Sequence, residues 1–263
     1  MTYPNLNGNA ENNLGYRMLD LALKKSGHPY KLKLNLNAVN DERARAMLAS
    51  GEIDIADFGS GAEFEKKFDA LYFPIDQGLL GYRLAIIHES KIDEFSKINS
   101  LQDLRKYTAG QGFGWSNNVI MDKARIRVNT GPTLESLFPM LEGGRFDFLP
   151  LGLNEVYGFA DQYKAKAPHA VVDSHIVLIY RFARLFYVKH GNRELHDIVL
   201  AGLKKAFDDG SFQGLLNYDP AIRSAIERAN LKARVAIVID NPIMSDAFKK
   251  IPEKYFFNPG SFK

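Results

Sequence analysis

The sequence contains no cysteine, which excludes disulfide bonds, thiolate metal sites and cysteine nucleophiles. Six histidines are present, but no two have the spacing of metal ligands on a helix and none lies in an HExxH pattern, so no metal site is predicted. A GxSxG nucleophile elbow and a P-loop are also missing. Because the sequence shows no nucleophile–base pair, we expect a protein that catalyses no reaction and needs no cofactor.

Neither strong charge nor a long apolar run is present. The 34 basic and 31 acidic side chains leave a net charge of +3 over 263 residues, too small to indicate a nucleic-acid partner. The longest apolar runs have the length of strands, so no membrane span is predicted. No secretory leader precedes the structured-looking sequence, which fits either a cytosolic protein or a mature exported chain with an added methionine.

A nine-residue motif occurs twice. Met47-Leu48-Ala49-Ser50-Gly51-Glu52-Ile53-Asp54-Ile55 is echoed by Met140-Leu141-Glu142-Gly143-Gly144-Arg145-Phe146-Asp147-Phe148. Each copy is typical of a last helical turn, a glycine that ends the helix, and a strand with one aspartate between apolar residues. Two α/β units of about domain size are therefore predicted, and paired lobes of this kind commonly hold a ligand in the cleft between them.

Hydrophobic periodicity predicts alternating helices and strands, which favours open, mostly parallel sheets. Helices are predicted at 14–25, 41–49, 119–124, 134–141, 194–207 and 221–229, and strands at 31–37, 53–58, 79–87, 176–188 and 235–239. Two strand-like runs, Tyr82-Arg83-Leu84-Ala85 and Tyr180-Arg181-Phe182-Ala183, bracket the second copy of the motif. They suggest a chain that enters a second lobe and returns. The predicted division is residues 1–84 and 180–263 for lobe 1, and 85–179 for lobe 2.

The order of these motifs resembles the extracytoplasmic solute-binding proteins of family 3, the amino-acid-binding type. The resemblance covers nearly the whole chain and includes Ser100-Leu101-Gln102-Asp103-Leu104, Asn192-Arg193-Glu194-Leu195 and Asp209-Gly210-Ser211-Phe212. It implies a type II periplasmic-binding fold, with two α/β lobes joined by a two-strand hinge and closing on a small polar solute. A periplasmic location, an amino acid or related compound as ligand, and an ABC permease or membrane sensor as partner follow from it. We expect a monomer.

The candidate ligand contacts lie on loops at predicted strand ends. The best candidate is the glycine-rich stretch 108–118, where glycines let the backbone approach a ligand and Ser116 or Asn117 is placed to cap the next helix. The predicted ligand-binding residues are Gly59, Ser60, Glu63, Arg83, Gly112, Trp115, Ser116, Asn117, Asn154, Glu155 and Arg181. Where the family carries an arginine for the ligand carboxylate, residues 59–65 have acids instead, so Arg83 or Arg181 is the replacement cation considered.

Each assignment has a plainer alternative. Trp115 would then be a core residue and Glu63 a solvated acid near a helix N-terminus. The echoed Asp54 and Asp147 are interpreted as structural rather than as a catalytic pair. Two other functions stay open: the ligand-sensing domain of a membrane signalling protein, and a dehydratase or lyase on the same fold, for which Glu63, Glu155 and His175 are the available acids and bases.

Overall fold

Two compact units make up the described part of the protein, residues 1–6 and 13–258 of a computed structural model. The first unit contains the described residues up to Gln77, together with 183–219 and 244–256. The second contains 78–182, 220–243 and the described residues from Phe257 onward. Residues 78–84, 180–182 and 220–243 therefore belong to the second unit, whereas the sequence pattern predicts them in lobe 1.

Twelve strands and twelve α-helices form the two units. The strands are β1 (Thr2–Leu6), β2 (Lys33–Val39), β3 (Ile55–Gly59), β4 (Phe68–Leu71), β5 (Tyr82–His88), β6 (Thr108–Gly112), β7 (Arg127–Gly131), β8 (Phe148–Gly152), β9 (Ala170–Val172), β10 (Ile176–Ile179), β11 (Arg184–Lys189) and β12 (Val235–Val238), counted over the described residues. The helices are α1 (Leu14–Ser26), α2 (Asp41–Ser50), α3 (Ala62–Glu65), α4 (Ile92–Phe95), α5 (Leu101–Leu104), α6 (Asn117–Lys123), α7 (Leu134–Glu142), α8 (Val156–Gln162), α9 (Arg193–Asp208), α10 (Ser211–Asn217), α11 (Pro220–Ala229) and α12 (Asp246–Lys249). Within residues 1–6 and 13–258, none of these helices has the length and apolar character needed to cross a bilayer.

The first unit is built on a β1–α1–β2–α2–β3 segment. Strand β1 pairs in parallel with β2, and β11 lies antiparallel between β3 and β4. Helix α1 begins where the Asn13 side chain accepts a hydrogen bond from the Gly15 amide, and it ends at Gly27 in the left-handed conformation. Its buried face packs on α9. Inside the unit the ring of Phe58 stacks on that of Tyr187, with centroids 4.0 Å apart.

The second unit contains a mixed sheet in the order β12–β10–β5–β8–β6–β7, with β9 also paired to β5. Strands β8, β6 and β7 are mutually parallel, as are β10 and β12, while β5 runs antiparallel to its neighbours. Apolar side chains from these strands and from α4, α5 and α6 form one core cluster, which includes Phe95, Ile120 and Ile237. The β6–α6–β7–α7–β8 segment repeats the layout of the first unit.

The repeated motif forms the same turn in both units. Gly51 and its counterpart Gly144 both have positive φ, 83° and 66°. The residue after each glycine donates its amide hydrogen to the carbonyl oxygen five positions earlier: Glu52 to Met47 and Arg145 to Met140, both at 2.9 Å. This is the closing hydrogen bond of a Schellman motif, so the sequence echo reports equivalent helix ends.

The echoed aspartates also have the same contacts. The Asp54 carboxylate accepts a hydrogen bond from the Thr2 amide at 2.6 Å, and the Asp147 carboxylate accepts one from the Thr108 amide at 2.7 Å. Thr2 and Thr108 are the first residues of β1 and β6. Each aspartate therefore fixes the start of the first strand of its βαβαβ segment (β1 or β6) near the third (β3 or β8), a structural role rather than a catalytic one.

One predicted strand is wrong in extent. Residues 176–188 form two strands, β10 and β11, which belong to different sheets: β10 pairs with β5 and β12, and β11 pairs with β3 and β4. The sequence could not show this break, because β10 and β11 are both buried on both faces. Residues 176–188 therefore form one mostly apolar run although they belong to two sheets. The predicted strand 79–87 is similarly a short 3₁₀ turn (Leu79–Gly81) followed by β5.

Candidate functional site

Strands β6 and β8 of the second unit end at a topological switch point. From β6 the chain proceeds through α6 to β7 on one side, and then through α7 to β8 on the other side. In open α/β sheets ligands bind beside the carboxyl ends of the strands at such a point. The segments that follow these ends are 113–116 and 153–155, and they carry most of the predicted second-lobe contacts.

Arg83 is the central charged group of this region. It is buried on β5, and its Nη2 donates to Asn117 Oδ1 at 3.1 Å while Nη1 lies 3.7 Å from Glu155 Oε1. The guanidinium also lies 5.5 Å from the ring centroids of both Tyr180 and Phe182. Its Nε has no hydrogen-bond partner among the described protein atoms. The structure thus brings together Arg83, Asn117 and Glu155 of the predicted set.

Two buried amides are not satisfied by the protein around them. Gln111, on β6, is 1% exposed, and neither its Oε1 nor its Nε2 has a hydrogen-bond partner among the described residues. Asn154 Oδ1 is also buried without a partner there. Burying a polar atom without a hydrogen bond costs about 1–3 kcal/mol, so such groups in a native fold need a reason. Gln111 was missed at the sequence level, where the only signal was its position between two glycines at a strand end.

The glycine-rich stretch differs from the prediction. Residues 108–112 are strand β6, and of the three glycines Gly110, Gly112 and Gly114 only Gly114 has positive φ, 71°. A Cβ on Gly112 would lie 2.2 Å from Trp115 Cε2, and one on Gly110 would lie 2.3 Å from the Phe146 ring. These two glycines are therefore needed for the close approach of aromatic rings rather than for a turn.

Trp115 is partly buried, with its indole over the backbone of Gly112, so it is not a residue of the inner core. The residue after it, Ser116, occupies the position before α6, but its side chain makes no capping hydrogen bond. The expectation that Ser116 or Asn117 caps this helix is therefore wrong. The Asn117 oxygen is used instead by Arg83 and by the Tyr180 hydroxyl, which donates to it at 2.8 Å.

Two further predicted residues of the second unit are Glu155 and Arg181. Glu155 Oε1 accepts a hydrogen bond from the Gly152 amide at 3.1 Å, in addition to its ion pair with Arg83. Arg181 is partly buried, and its carbonyl accepts from Asn241 Nδ2 at 2.8 Å. Glu155 is therefore oriented toward Arg83 by the end of β8.

Two of the predicted ligand contacts in the first unit, Gly59 and Ser60, pair with strand β11 or the residue before it. Gly59 lies opposite Arg184 in the β3–β11 ladder, and the Ser60 amide donates to the Ala183 carbonyl at 2.8 Å. The Ser60 hydroxyl accepts from the Ala183 amide at 3.4 Å. Glu63 is exposed in the first turn of α3, which agrees with the plainer interpretation as a solvated acid. Ser60 thus extends the sheet pairing by one residue.

A buried ionic cluster in the first unit was not predicted. Arg184 donates from Nε to Asp57 Oδ2 at 2.5 Å and from Nη2 to the Asp57 carbonyl at 2.8 Å, and the Tyr3 hydroxyl donates to Asp57 Oδ1. Burial raises the pKa of the Tyr3 hydroxyl well above its ordinary value, and the charge of Asp57 raises it further, so Tyr3 stays a donor at neutral pH. Because both oxygens of Asp57 are satisfied within the unit, we assign this cluster a structural role.

No family model matches the sequence, and no curated protein is matched by sequence similarity. Solved structures do match. An ancestral arginine-binding protein bound to glutamine is similar at a TM-score of 0.58 and 19% identity, over 78% of this chain and 86% of that one. An amino acid ABC transporter substrate-binding protein from Streptococcus pneumoniae bound to L-arginine is similar at 0.57 and 15% identity, over 81% and 82% of the two chains.

A third similar structure comes from a different kind of protein. It is a histidine kinase sensor domain with similarity to periplasmic binding proteins, at a TM-score of 0.57 and 11% identity, over 82% of this chain and 93% of that one. At identities this low the comparisons identify the fold. The chain has the α/β fold of the amino acid ABC transporter substrate-binding proteins, the type II periplasmic-binding fold that its motifs predict.

Proposed function

We propose that the protein is a non-enzymatic solute-binding protein, whose second unit holds a small polar solute at the carboxyl ends of β6 and β8. The observation that carries this proposal is the buried, unpartnered amide of Gln111, close in the chain to the loop of Trp115. A solute that bonds to this amide would recover the free energy lost by burying it. The fold shared with amino-acid-binding proteins supports the same assignment.

The chemistry of the site fits an amino acid or a related polar compound. Arg83 supplies donors for a carboxylate, and Glu155 supplies an acceptor for an ammonium group. Gln111 both donates and accepts, and the half-buried Trp115 offers an aromatic face. Because Arg83 and Glu155 lie 3.7 Å apart, a zwitterion would meet one group of each sign in the same region.

The similar proteins suggest where such a solute receptor works. We place this one outside the cytoplasm, delivering its ligand to an ABC permease. A second candidate, the ligand-sensing domain of a membrane signalling protein, is favoured by the similarity to a histidine kinase sensor domain. Both roles need the same binding step, so the tests below address binding.

A lyase on this fold would need an acid and a base that converge on one substrate. Of the candidate groups, Glu155 is paired with Arg83, and His175 Nε2 lies 3.0 Å from the carbonyl oxygen of Ile98. Glu63 belongs to the other unit, where it is exposed at the start of α3. Glu155 and His175 thus have different partners and are not hydrogen-bonded to each other as an acid–base pair would be, which supports binding without turnover.

A thermal-shift screen over the twenty L-amino acids, dicarboxylic acids and short polyamines tests the proposal. At a concentration of about 100 times Kd, a ligand adds about 2.7 kcal/mol to the free energy of unfolding. For a protein of this size that raises Tm by roughly 5–10 °C. We expect at least one amino acid to do so, with calorimetry giving one site per chain. A flat response to the whole panel would contradict the proposal.

Gln111→Leu separates a binding role from a structural one. Because the amide has no protein partner, we expect the variant without ligand to be as stable as the wild type or more stable, while affinity for the active compound falls at least about tenfold. Gln213→Leu is the matched control: in the first unit, its amide exchanges two hydrogen bonds with Gln77, at 2.8 and 3.2 Å. That variant should lose stability and keep its affinity. The reverse pattern would remove Gln111 from the site.

The single tryptophan gives an independent signal from the same loop. We expect the active compound to shift or quench Trp115 emission in a saturable way, and Trp115→Ala to weaken binding by about 1–3 kcal/mol through loss of aromatic contact. Emission that stays flat while calorimetry shows binding, together with normal affinity in the variant, would place this loop outside the site. Trp115→Phe, which keeps an aromatic face over Gly112, should retain most of the affinity.

A further inference from the structure

We infer that the second unit carries a transition-metal site, most suited to Zn²⁺, formed by His88, Glu142 and His169. One donor atom from each of these residues lies within 4.8 Å of the other two, and no other group of three histidine, aspartate or glutamate side chains in the described part of the chain does so. The three residues lie at the end of β5, at the end of α7 and just before β9. This site is separate from the proposed solute contacts.

The backbone holds the three residues near one another. Strand β9 pairs with β5, with Ala170 opposite His88. The next residue on the β5 side, Glu89, donates its amide hydrogen to the His169 carbonyl at 2.8 Å, and the His169 amide donates to Glu142 Oε2 at 3.3 Å. As a result the rings of His88 and His169 have centroids 5.4 Å apart. Strand pairing thus places the two histidines, and the Glu142 side chain reaches them from the end of α7.

The donor types select the class of metal. Two imidazoles and a carboxylate suit Zn²⁺ and its transition-metal neighbours, whereas Mg²⁺ and Ca²⁺ prefer oxygen ligands alone. A tetrahedral zinc ion, with ligands at about 2.0–2.2 Å, brings its donor atoms to roughly 3.5 Å from one another. Donors within 4.8 Å reach that spacing by small side-chain rotations. A fourth position would be left for water or for another ligand.

Two of the three proposed ligands are already in direct contact. His169 Nδ1 lies 2.5 Å from Glu142 Oε1. A simple His–Glu pair accounts for these two residues but not for the second imidazole beside them. The side chain of His169 is about half exposed, so a hydrated ion reaches it directly.

The third ligand has a residue that orients its ring. Nδ1 of His88 lies 2.8 Å from Ser90 Oγ and accepts a hydrogen bond from the Ser90 amide at 3.2 Å. Metal binding at Nε2 requires the tautomer with the proton on Nδ1, in which the bond from the Ser90 amide is exchanged for one donated by Nδ1 to Ser90 Oγ. Such outer hydrogen bonds fix the tautomer and the direction of metal-binding histidines. The histidine spacing could not predict this site, because its ligands come from three separate segments.

Titration calorimetry of the full chain with Zn²⁺ tests the inference, with Mg²⁺ as the comparison ion. We expect one equivalent of Zn²⁺ to bind with a Kd of about 1–10 µM and Mg²⁺ to give no signal. His88→Gln, Glu142→Gln and His169→Gln should each weaken binding by about tenfold or more. Co²⁺ in place of Zn²⁺ should give visible absorption bands of a nitrogen- and oxygen-ligated ion, and the same variants should remove them.

His190→Gln is the matched control. His190 is also exposed and also pairs with a carboxylate, Asp69 Oδ1 at 2.9 Å, but it is outside the triplet. This variant should bind Zn²⁺ like the wild type, and far-UV circular dichroism of all four variants should be unchanged. Absence of Zn²⁺ binding up to 1 mM, or binding that the three ligand variants leave intact, would overturn the inference.

Discussion

Arg234→Met is expected to lower the free energy of unfolding by about 3–5 kcal/mol, the cost typical of breaking a buried charged network. The Arg234 side chain is 2% exposed. It donates to the carbonyl oxygens of Ala229, Asp173 and Ile176 at 2.5, 2.6 and 2.9 Å. Methionine fills a similar volume but leaves three buried acceptors without this donor. Urea unfolding followed by circular dichroism measures the loss.

Arg223→Met is the control for this variant, because it makes the same substitution in the same segment. Arg223 is exposed on α11, and its ion pair with Glu227, at 3.7 Å, joins two exposed side chains. Exposed pairs of this kind contribute about 0–1 kcal/mol, so the control should unfold almost as the wild type does. Equal effects of the two substitutions would show that Arg234 does not anchor the segment.

Arg234 also explains why the predicted division of the chain differs from the observed one. The sequence predicts that the chain returns to lobe 1 at residue 180. Nothing in its pattern indicates that a later segment belongs to the other lobe. In the structure β12 pairs in parallel with β10, and Arg234 bonds to the turn before β10. Both contacts join residues about sixty positions apart. Periodicity reports which face of a strand is buried, but not which strand is its neighbour.

Other parts of the fold were predictable because their signals are local. The Ser100 side chain, for example, caps the short helix α5 by accepting from the Asp103 amide, as serine often does three residues before an acid. The repeated glycines and aspartates end two equivalent helices and begin two equivalent strands, as their spacing indicates. Helix boundaries agree within a residue or two where a cap and a left-handed glycine both occur, as at Asn13 and Gly27.

The candidate site was predictable only in part, for the same reason. The glycines of residues 108–118 predict the segment that carries Trp115 and Asn117, and Arg83 is predicted as a replacement cation; both assignments stay predictions. The sequence could not show that Arg83 bonds to Asn117 and pairs with Glu155, because these contacts join three segments. Nor could it show that the Gln111 amide is buried without a partner, a property of the packed structure alone. The sequence likewise could not show that His88, Glu142 and His169 lie together.

Two glycine-to-alanine substitutions in helices should change stability in opposite directions. Gly202 lies in α9 where it meets α1, and a Cβ there would be 1.9 Å from the carbonyl oxygen of Ala22. Because that atom is backbone, α1 and α9 must separate to admit it. Gly202→Ala should therefore destabilise the protein by about 3 kcal/mol, despite the better helix propensity of alanine.

Gly214→Ala changes a glycine in α10 where a Cβ would have no atom within 4 Å. With no steric cost, the substitution reduces the conformational entropy of the unfolded chain and should stabilise the protein by about 0.4–1 kcal/mol. Urea unfolding of both variants tests the close packing of α1 on α9, since helix propensity alone would make both substitutions stabilising. If Gly202→Ala proves neutral or stabilising, the two helices are not in the contact described here. Neither glycine lies in the second unit, so affinity for the solute and for Zn²⁺ should be unchanged in both variants as long as they remain folded.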